Sequence, residues 1–177
     1  MENYVEVWQR GAIPNVPPLL QPVAHALLQV GEEAHRIMQE FPDELLWTRP
    51  GNVAPPAFHL QHIRGVIDRL FTYARKEQLT KEQMDALLIE GKEEKNSLSA
   101  KELIEELDKQ IDDAIKELIS VKEDTLTEAR GVGRKQIPTT LIGLYFHAAE
   151  HSMRHIGQLL VTVRILKACT IKDFGFI

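Results

Sequence analysis

The sequence has very little cysteine. Its 177 residues include only Cys169, so a disulfide framework or a zinc knuckle built from thiolates is excluded within a single chain. An isolated cysteine usually behaves as a small apolar side chain, and we expect Cys169 to be buried in the last helix. The scarcity of cysteine fits a reducing compartment, and the cytoplasm is the expected location.

Long apolar runs and an excess of basic charge are also missing. No segment of the sequence reaches the roughly 18 consecutive apolar residues that a membrane-spanning helix needs, and the first residues lack the pattern of a signal peptide. The chain carries 21 Lys and Arg against 26 Asp and Glu, and its densest basic cluster, residues 130–135, is interrupted by glycines. Neither a membrane nor a nucleic acid is therefore an expected partner.

Apolar residues recur at intervals of three and four along most of the chain, which is helical periodicity. We find no strand pattern of any strength. The length of 177 residues fits a single domain, 1–177. The pattern predicts an all-α protein, an up-and-down four-helix bundle with an extra short helix. The predicted long helices span residues 19–40, 57–75, 99–120 and 138–167, and the short helix spans residues 81–90.

Three of the predicted helix starts carry recognisable signals. Thr80 precedes the short helix and is followed three residues later by Gln83, and Ser99 and Glu102 repeat this spacing before the third long helix. Such pairs form capping boxes, in which each partner satisfies a free backbone N–H. Pro138 is predicted to open the last helix, because a proline in the first turn costs no hydrogen bond.

Two connections are longer than helix-to-helix loops usually are. They span residues 41–57 and 121–137, and loops of this length are often functional. Each precedes a histidine-bearing helix, so we expect both loops to frame the same end of the bundle. Trp47 is expected to pack onto that end, and Trp47 and Arg134 are candidates to line the entrance of a site.

The stretch HAAEHSMRHIGQ, residues 147–158, places His147, His151 and His155 four residues apart. On a helix they form one column, and two imidazoles one turn apart can bind one metal ion. The outer two are separated by roughly 12 Å at about 1.5 Å per residue, so one pair at most can chelate. His151 and His155 lie nearer the apolar face of the helix, where metal sites in bundles are built. His147 is therefore expected near the surface or behind the ligands.

A third ligand should come from a facing helix. The segment HLQHIRGVIDRL offers His59 and His62. The helical wheel slightly favours His59, because it lies nearer the centre of the apolar face, but spacing alone leaves both open. His25 and His35, on the first helix, are weaker candidates.

Two other interpretations compete with this one. A histidine on an apolar face is often a core residue with satisfied hydrogen bonds. The pentapeptide HAAEH also matches H-x-x-E-H, in which His147 and His151 would bind zinc and Glu150 would be the general base of a peptidase. Such sites need a downstream acidic ligand, and the sequence offers only Asp173 after His151. The chain is also short for such a peptidase.

Several segments together resemble the DinB-like family, which is related to the YfiT-type metal-dependent hydrolases. The resemblance covers nearly the whole chain, and its most specific part is His151 and His155 followed by Gly157 and Gln158, with HIRGVIDR next. The other segments that carry the resemblance are PPLLQPVAHALLQVGEEA, LWTRPGNVAPPAFHLQHIRGVIDRLFTYAR and PTTLIGLYFHAAEHSMRHIGQLL.

The resemblance implies a bundle fold with three histidines that bind a divalent metal such as zinc, nickel or iron. Carried onto this sequence, the metal ligands are His62, His151 and His155, so the resemblance favours His62 over His59. Some members of the family are thiol-dependent transferases, and a low-molecular-weight thiol is therefore an expected small-molecule partner.

The resemblance also implies either an S-transferase or a hydrolase, and a homodimer. The alternative is a non-catalytic, metal-binding or dimerising bundle with a structural or stress-related role. By helix position, Asp68, Glu150 and Arg154 are plausible neighbours of the metal, but we assign no catalytic residue.

Overall fold

A computed structural model describes residues 4–93 and 98–173. It is dominated by helices, which confirms the all-α prediction, and it adds one small β-hairpin. The helices are α1 Gln21–Met38, α2 Pro56–Ala74, α3 Lys81–Ile89, α4 Ala100–Ser120 and α5 Leu141–Asp173. The hairpin strands are β1 Ala129–Val132 and β2 Ile137–Thr140.

The four long helices form a bundle. In it, α1 packs mainly against α4 and α5, and α2 packs against the same two helices. The apolar stripe of each helix faces the common core, where burying one leucine or isoleucine side chain contributes about 1.5–3 kcal/mol. The core includes the fully buried side chains of Leu27, Ile63, Ile67, Leu107, Leu118 and Leu159.

The directions of the helices follow from pairs of contacts. Arg64 of α2 binds Glu106 of α4, and Arg75, directly after α2, binds Glu117. The order of the pairs is the same along both helices, so α2 and α4 run parallel. This is possible because α3 runs back along α2, where Gln83 donates hydrogen bonds to side chains of α2.

In contrast, α2 and α5 run in opposite directions. His59 and His62 face His155 and His151 respectively, so the order along one helix is reversed along the other. The histidines of both helices therefore meet at one level of the bundle.

Both predicted capping boxes are present. The Thr80 side chain accepts from the backbone N–H of Gln83, and the Ser99 side chain accepts from that of Glu102, with the reciprocal bonds also formed. The start of α5 was predicted wrongly. Its first residue is Leu141, and the hydroxyl of Thr140 accepts the Gly143 N–H at 3.2 Å, as an N-cap residue does.

The hairpin corrects the prediction that residues 121–137 form a loop without strands. Its register pairs Ala129 with Thr140 and Val132 with Ile137. Pro138 lies within β2 and does not open the helix, and a proline is tolerated there because a two-stranded ribbon consists of edge strands. The strands are four residues each, which is too short for alternation to be detected.

The expectation that both long loops frame the same end was also wrong. The hairpin lies at the C-terminal end of α2, where Arg130 donates to the carbonyl oxygen of Ala74 at 2.7 Å. Val53 and Ala54 of the first loop instead line a groove with the late residues of α5. Because α2 and α5 are antiparallel, loops that precede them lie at opposite ends. Arg134 is therefore far from the histidines.

Two smaller expectations have opposite outcomes. Trp47 packs against the core, as predicted. Cys169 is exposed and not buried, because it falls on the outward side of α5. Within residues 4–93 and 98–173, none of the helices combines the length and the apolar character needed to cross a bilayer.

Candidate metal centre

Three histidines from two helices converge in the bundle. His62 of α2 faces His151 and His155 of α5, and one ring nitrogen from each lies within 4.8 Å of the others. The ring centroids are 4.5 Å apart for His62 and His155, 4.7 Å for His151 and His155, and 5.2 Å for His62 and His151. Zinc–nitrogen bonds of about 2.0–2.1 Å place tetrahedral ligand nitrogens about 3.3 Å apart, so a small adjustment would bring these rings around one ion.

The hydrogen bonds of His62 define which of its nitrogens is free. Its Nδ1 lies 2.8 Å from the Oε2 of Glu90, and an ionised carboxylate only accepts hydrogen bonds. Nδ1 therefore carries the proton and donates it. The lone pair is left on Nε2, which lies 3.0 Å from the Nε2 of His151.

Glu90 was not among the residues predicted for this site. It follows the last residue of α3, and Gly91 beside it has a positive φ of 74°. The Oε1 of Glu90 accepts from Arg69 at 2.5 Å, and both side chains are close to fully buried. In the sequence, Glu90 could be recognised only as an acid next to the glycine that ends a short helix. The sequence does not reveal which helix this acid faces.

His59 lies behind the three histidines. It is buried, and its Nδ1 contacts the Nδ1 of His155 at 3.1 Å. Among the described residues, the group whose ligand atoms lie within metal-binding distance is His62, His151 and His155, without His59. Burial is the main cause that lowers the pKa of His59 to about 4, and the nearby imidazole of His62 acts in the same direction. The helical wheel correctly predicted that His59 faces the core, but His59 lies behind His155.

His151 and His155 of α5 are neutral at physiological pH. Burial lowers the pKa of His155 to about 4, with a smaller contribution from His62, and burial also lowers the pKa of His151. Among the described residues, the Nδ1 of His151 is buried without a hydrogen-bond partner. The other ring nitrogen, Nε2, lies 3.0 Å from the Nε2 of His62, and the lone pair of a neutral imidazole is suited to binding a metal.

His147 is near the surface, as expected. Its side chain is 52% exposed and its Nδ1 lies 2.7 Å from Glu150, which also accepts from Arg154. His147, Glu150 and His151 form a second group within metal-binding distance, and their spacing places all three on one face of the helix. The peptidase interpretation needs a further acid, and Asp173 lies on the same helix roughly 33 Å beyond His151 at about 1.5 Å per residue.

The other candidate residues lie away from this cluster. The Nε2 of His25 contacts the Gly11 carbonyl oxygen, and His35 binds Asp108 at 2.7 Å across α1 and α4. Asp68 accepts a hydrogen bond from Gln83 of α3.

An apolar groove adjoins the histidines on the side of His59. Its volume is about 830 Å³, and it runs between the loop before α2 and the second half of α5. Val53 and Val161 on its walls are about half exposed, and Arg154 lies at its rim. The groove could hold the apolar part of a small molecule.

Comparison with known proteins agrees with this architecture. The family model described as the DinB superfamily matches residues 26–159. A crystal structure of a protein from Streptococcus pneumoniae is similar in fold, with a TM-score of 0.58 and 15% sequence identity over 82% of this chain and 88% of that chain. No curated protein matches the chain significantly.

Proposed function

The chain belongs to the DinB superfamily, and from that premise we propose that it is a metal-dependent enzyme whose divalent ion is held by His62, His151 and His155. The observation that carries this proposal is the convergence of three imidazoles from two helices, with ligand atoms within 4.8 Å of one another. Histidines that only packed in the core would not need to face one another.

The donor set fits zinc, nickel or iron. All three metals accept imidazole nitrogen, and a site with three protein ligands leaves coordination positions open, as catalytic sites do. An ion held there would act as a Lewis acid and lower the pKa of a bound water or thiol. His151 and His155 are neutral at pH 7, because burial lowers the pKa of each, so no proton has to leave them before they bind.

We propose a thiol-dependent S-transferase or a hydrolase as the type of enzyme, with a small molecule as its substrate. The groove beside His59 supports this proposal, because Val53 and Val161 would bind an apolar group and exclude water from it. Arg154 at the rim would orient a carboxylate of a substrate or of a low-molecular-weight thiol.

The alternative is a non-catalytic bundle that acts by association. Large apolar side chains on the surface favour it, since Trp8, Phe146 and Val161 are each about 60% exposed. The expected homodimer stays a prediction under both proposals.

Elemental analysis of the purified protein tests the metal ligands. We expect about one equivalent of metal in the wild type and almost none in His62→Ala or His151→Ala, because two imidazoles hold an ion far less tightly than three. His35→Ala is the matched control, since it removes an imidazole that binds Asp108 outside the cluster. Full occupancy in both ligand variants would contradict the site.

A further inference from the structure

Glu90 lies between one of the proposed ligands and a buried arginine. Its Oε2 accepts from His62 at 2.8 Å, and its Oε1 accepts from Arg69 at 2.5 Å. We propose that Glu90 is a positioning residue of the centre, which fixes the ring orientation and the Nδ1–H tautomer of His62 so that Nε2 faces His151 and His155. Only the expected effect of Glu90 on metal affinity rests on the proposed function.

The environment of Glu90 holds it in this geometry. The side chains of Glu90 and Arg69 are only 9% and 11% exposed, so their ion pair is poorly screened and costly to break. On the other side, the ring of Phe58 stacks on His62 with centroids 5.1 Å apart and an angle of 16°. The stacking limits the tilt of the imidazole, and the carboxylate then sets its rotation.

His62 differs in this respect from the other two ligands. His155 has the neutral ring of His59 as its partner, and in the described part of the chain the Nδ1 of His151 has no partner. A carboxylate behind a histidine makes its far nitrogen a stronger donor and fixes the tautomer, and the loss of such a partner typically weakens metal binding 10–100-fold.

The short helix α3 lies along α2 and carries Glu90 directly after its last residue. None of its nine described residues is fully buried, so it adds little to the core. Gln83 of α3 donates to Asp68 and Thr72 of α2, and Glu90 directly after α3 accepts from His62 of α2. These contacts place α3 along α2 so that the carboxylate reaches His62.

The tautomer can be measured without metal. In the full-length protein labelled with ¹⁵N-histidine, long-range ¹H–¹⁵N spectra should show His62 protonated at Nδ1. Glu90→Gln should keep this pattern, since an amide oxygen also accepts, and Glu90→Ala should lose it. Glu117→Gln is the control, because it removes a carboxylate that binds Arg75 at the other end of α2. A wild-type His62 protonated at Nε2 would overturn the proposal, whatever the variants do.

The second test of Glu90 is zinc affinity, measured by competition with a chromogenic chelator. We expect Glu90→Ala to bind zinc about 10–100-fold more weakly than the wild type, with a smaller loss for Glu90→Gln and none for Glu117→Gln. Wild-type affinity in Glu90→Ala would overturn the positioning role. If the wild type bound no zinc but showed the tautomer switch, the proposed function would fail and the role of Glu90 would stand.

Discussion

At position 65 the helix α2 has a glycine facing the pair of Glu90 and Arg69. A Cβ atom placed there would collide with the carboxylate of Glu90 and lie 2.5 Å from the Nη1 of Arg69. A glycine inside a helix costs roughly 0.5–1 kcal/mol relative to alanine. The close approach of these two charged side chains explains the glycine, because a Cβ atom at this position would force the ends of both side chains to shift.

Gly65→Ala should therefore weaken the centre although alanine is the better helix former. We expect Glu90 to be displaced from His62 and zinc affinity to fall by about 10-fold or more, with the helix content unchanged by circular dichroism. The matched control is Gly157→Ala on α5, where an added Cβ meets nothing within 4 Å among the described residues. The control should keep its zinc affinity and gain about 0.5–1 kcal/mol of stability. Equal zinc affinities in the two variants would contradict the account of Gly65.

The residues of the cluster differ in how far the sequence predicts them. His151 and His155 were identified because four-residue spacing and the apolar face of one helix locate both. His62 and His59 lie three residues apart and both point inward, so the choice between them depended on the family resemblance. Glu90 could not be found, because its contact joins residues 28 apart along the chain through the path of α3.

At the scale of elements, the N-terminus of α4 contains an exposed charge that makes a specific contribution. Glu102 accepts from the backbone N–H of Ser99 at 2.8 Å and from the Ser99 hydroxyl at 2.7 Å. Both bonds lower the pKa of Glu102 below its ordinary value of 4.5, and the bond from the backbone N–H has the larger effect. The ionised form is therefore the one that stabilises the folded state, and it also interacts favourably with the helix dipole.

The sign of this effect gives a pH-dependent prediction. Because the folded pKa is lowered, the stabilisation is present above pH 4.5 and is lost as the pH falls through the folded pKa. Wild type should have a higher urea midpoint than Glu102→Gln at pH 7, and the difference should shrink as the pH falls below 4.5. Glu105→Gln on the same helix is the control, since its carboxylate is outside the cap, and its midpoint at pH 7 should change less. A difference that persisted unchanged to pH 3 would contradict the role of the charge.

Four of the five helices were predicted to within two residues at both ends, but α5 begins three residues and ends six residues later than predicted. The hairpin was not predicted. Long amphipathic segments repeat the same periodicity many times, and capping boxes mark two of their starts. The hairpin strands contain four residues each and one of them includes Pro138, so neither alternation nor composition identifies them. Their pairing depends on docking against the end of α2, which is a tertiary effect.

At the scale of the whole molecule, the proposed ligands connect parts of the chain that are far apart in sequence. His62 and His151 are 89 residues apart, and they belong to antiparallel helices that pack along the core. No such arrangement survives in an unfolded chain. An ion bound by both helices therefore favours the folded state by mass action, and its effect should be visible in global unfolding.

Thermal unfolding should therefore depend on metal in the wild type. At a free zinc concentration of 100 Kd, binding adds about 2.7 kcal/mol, which corresponds to roughly 5–10 °C in Tm for a chain of this length. His151→Ala should show no such shift, while His35→Ala, whose imidazole binds Asp108, should shift like the wild type. A low-molecular-weight thiol added to the zinc-loaded wild type should raise Tm further if it binds the open positions of the ion. A zinc-dependent shift of the same size in His151→Ala would mean that the metal binds elsewhere, and no further shift with any thiol would remove the support for the transferase.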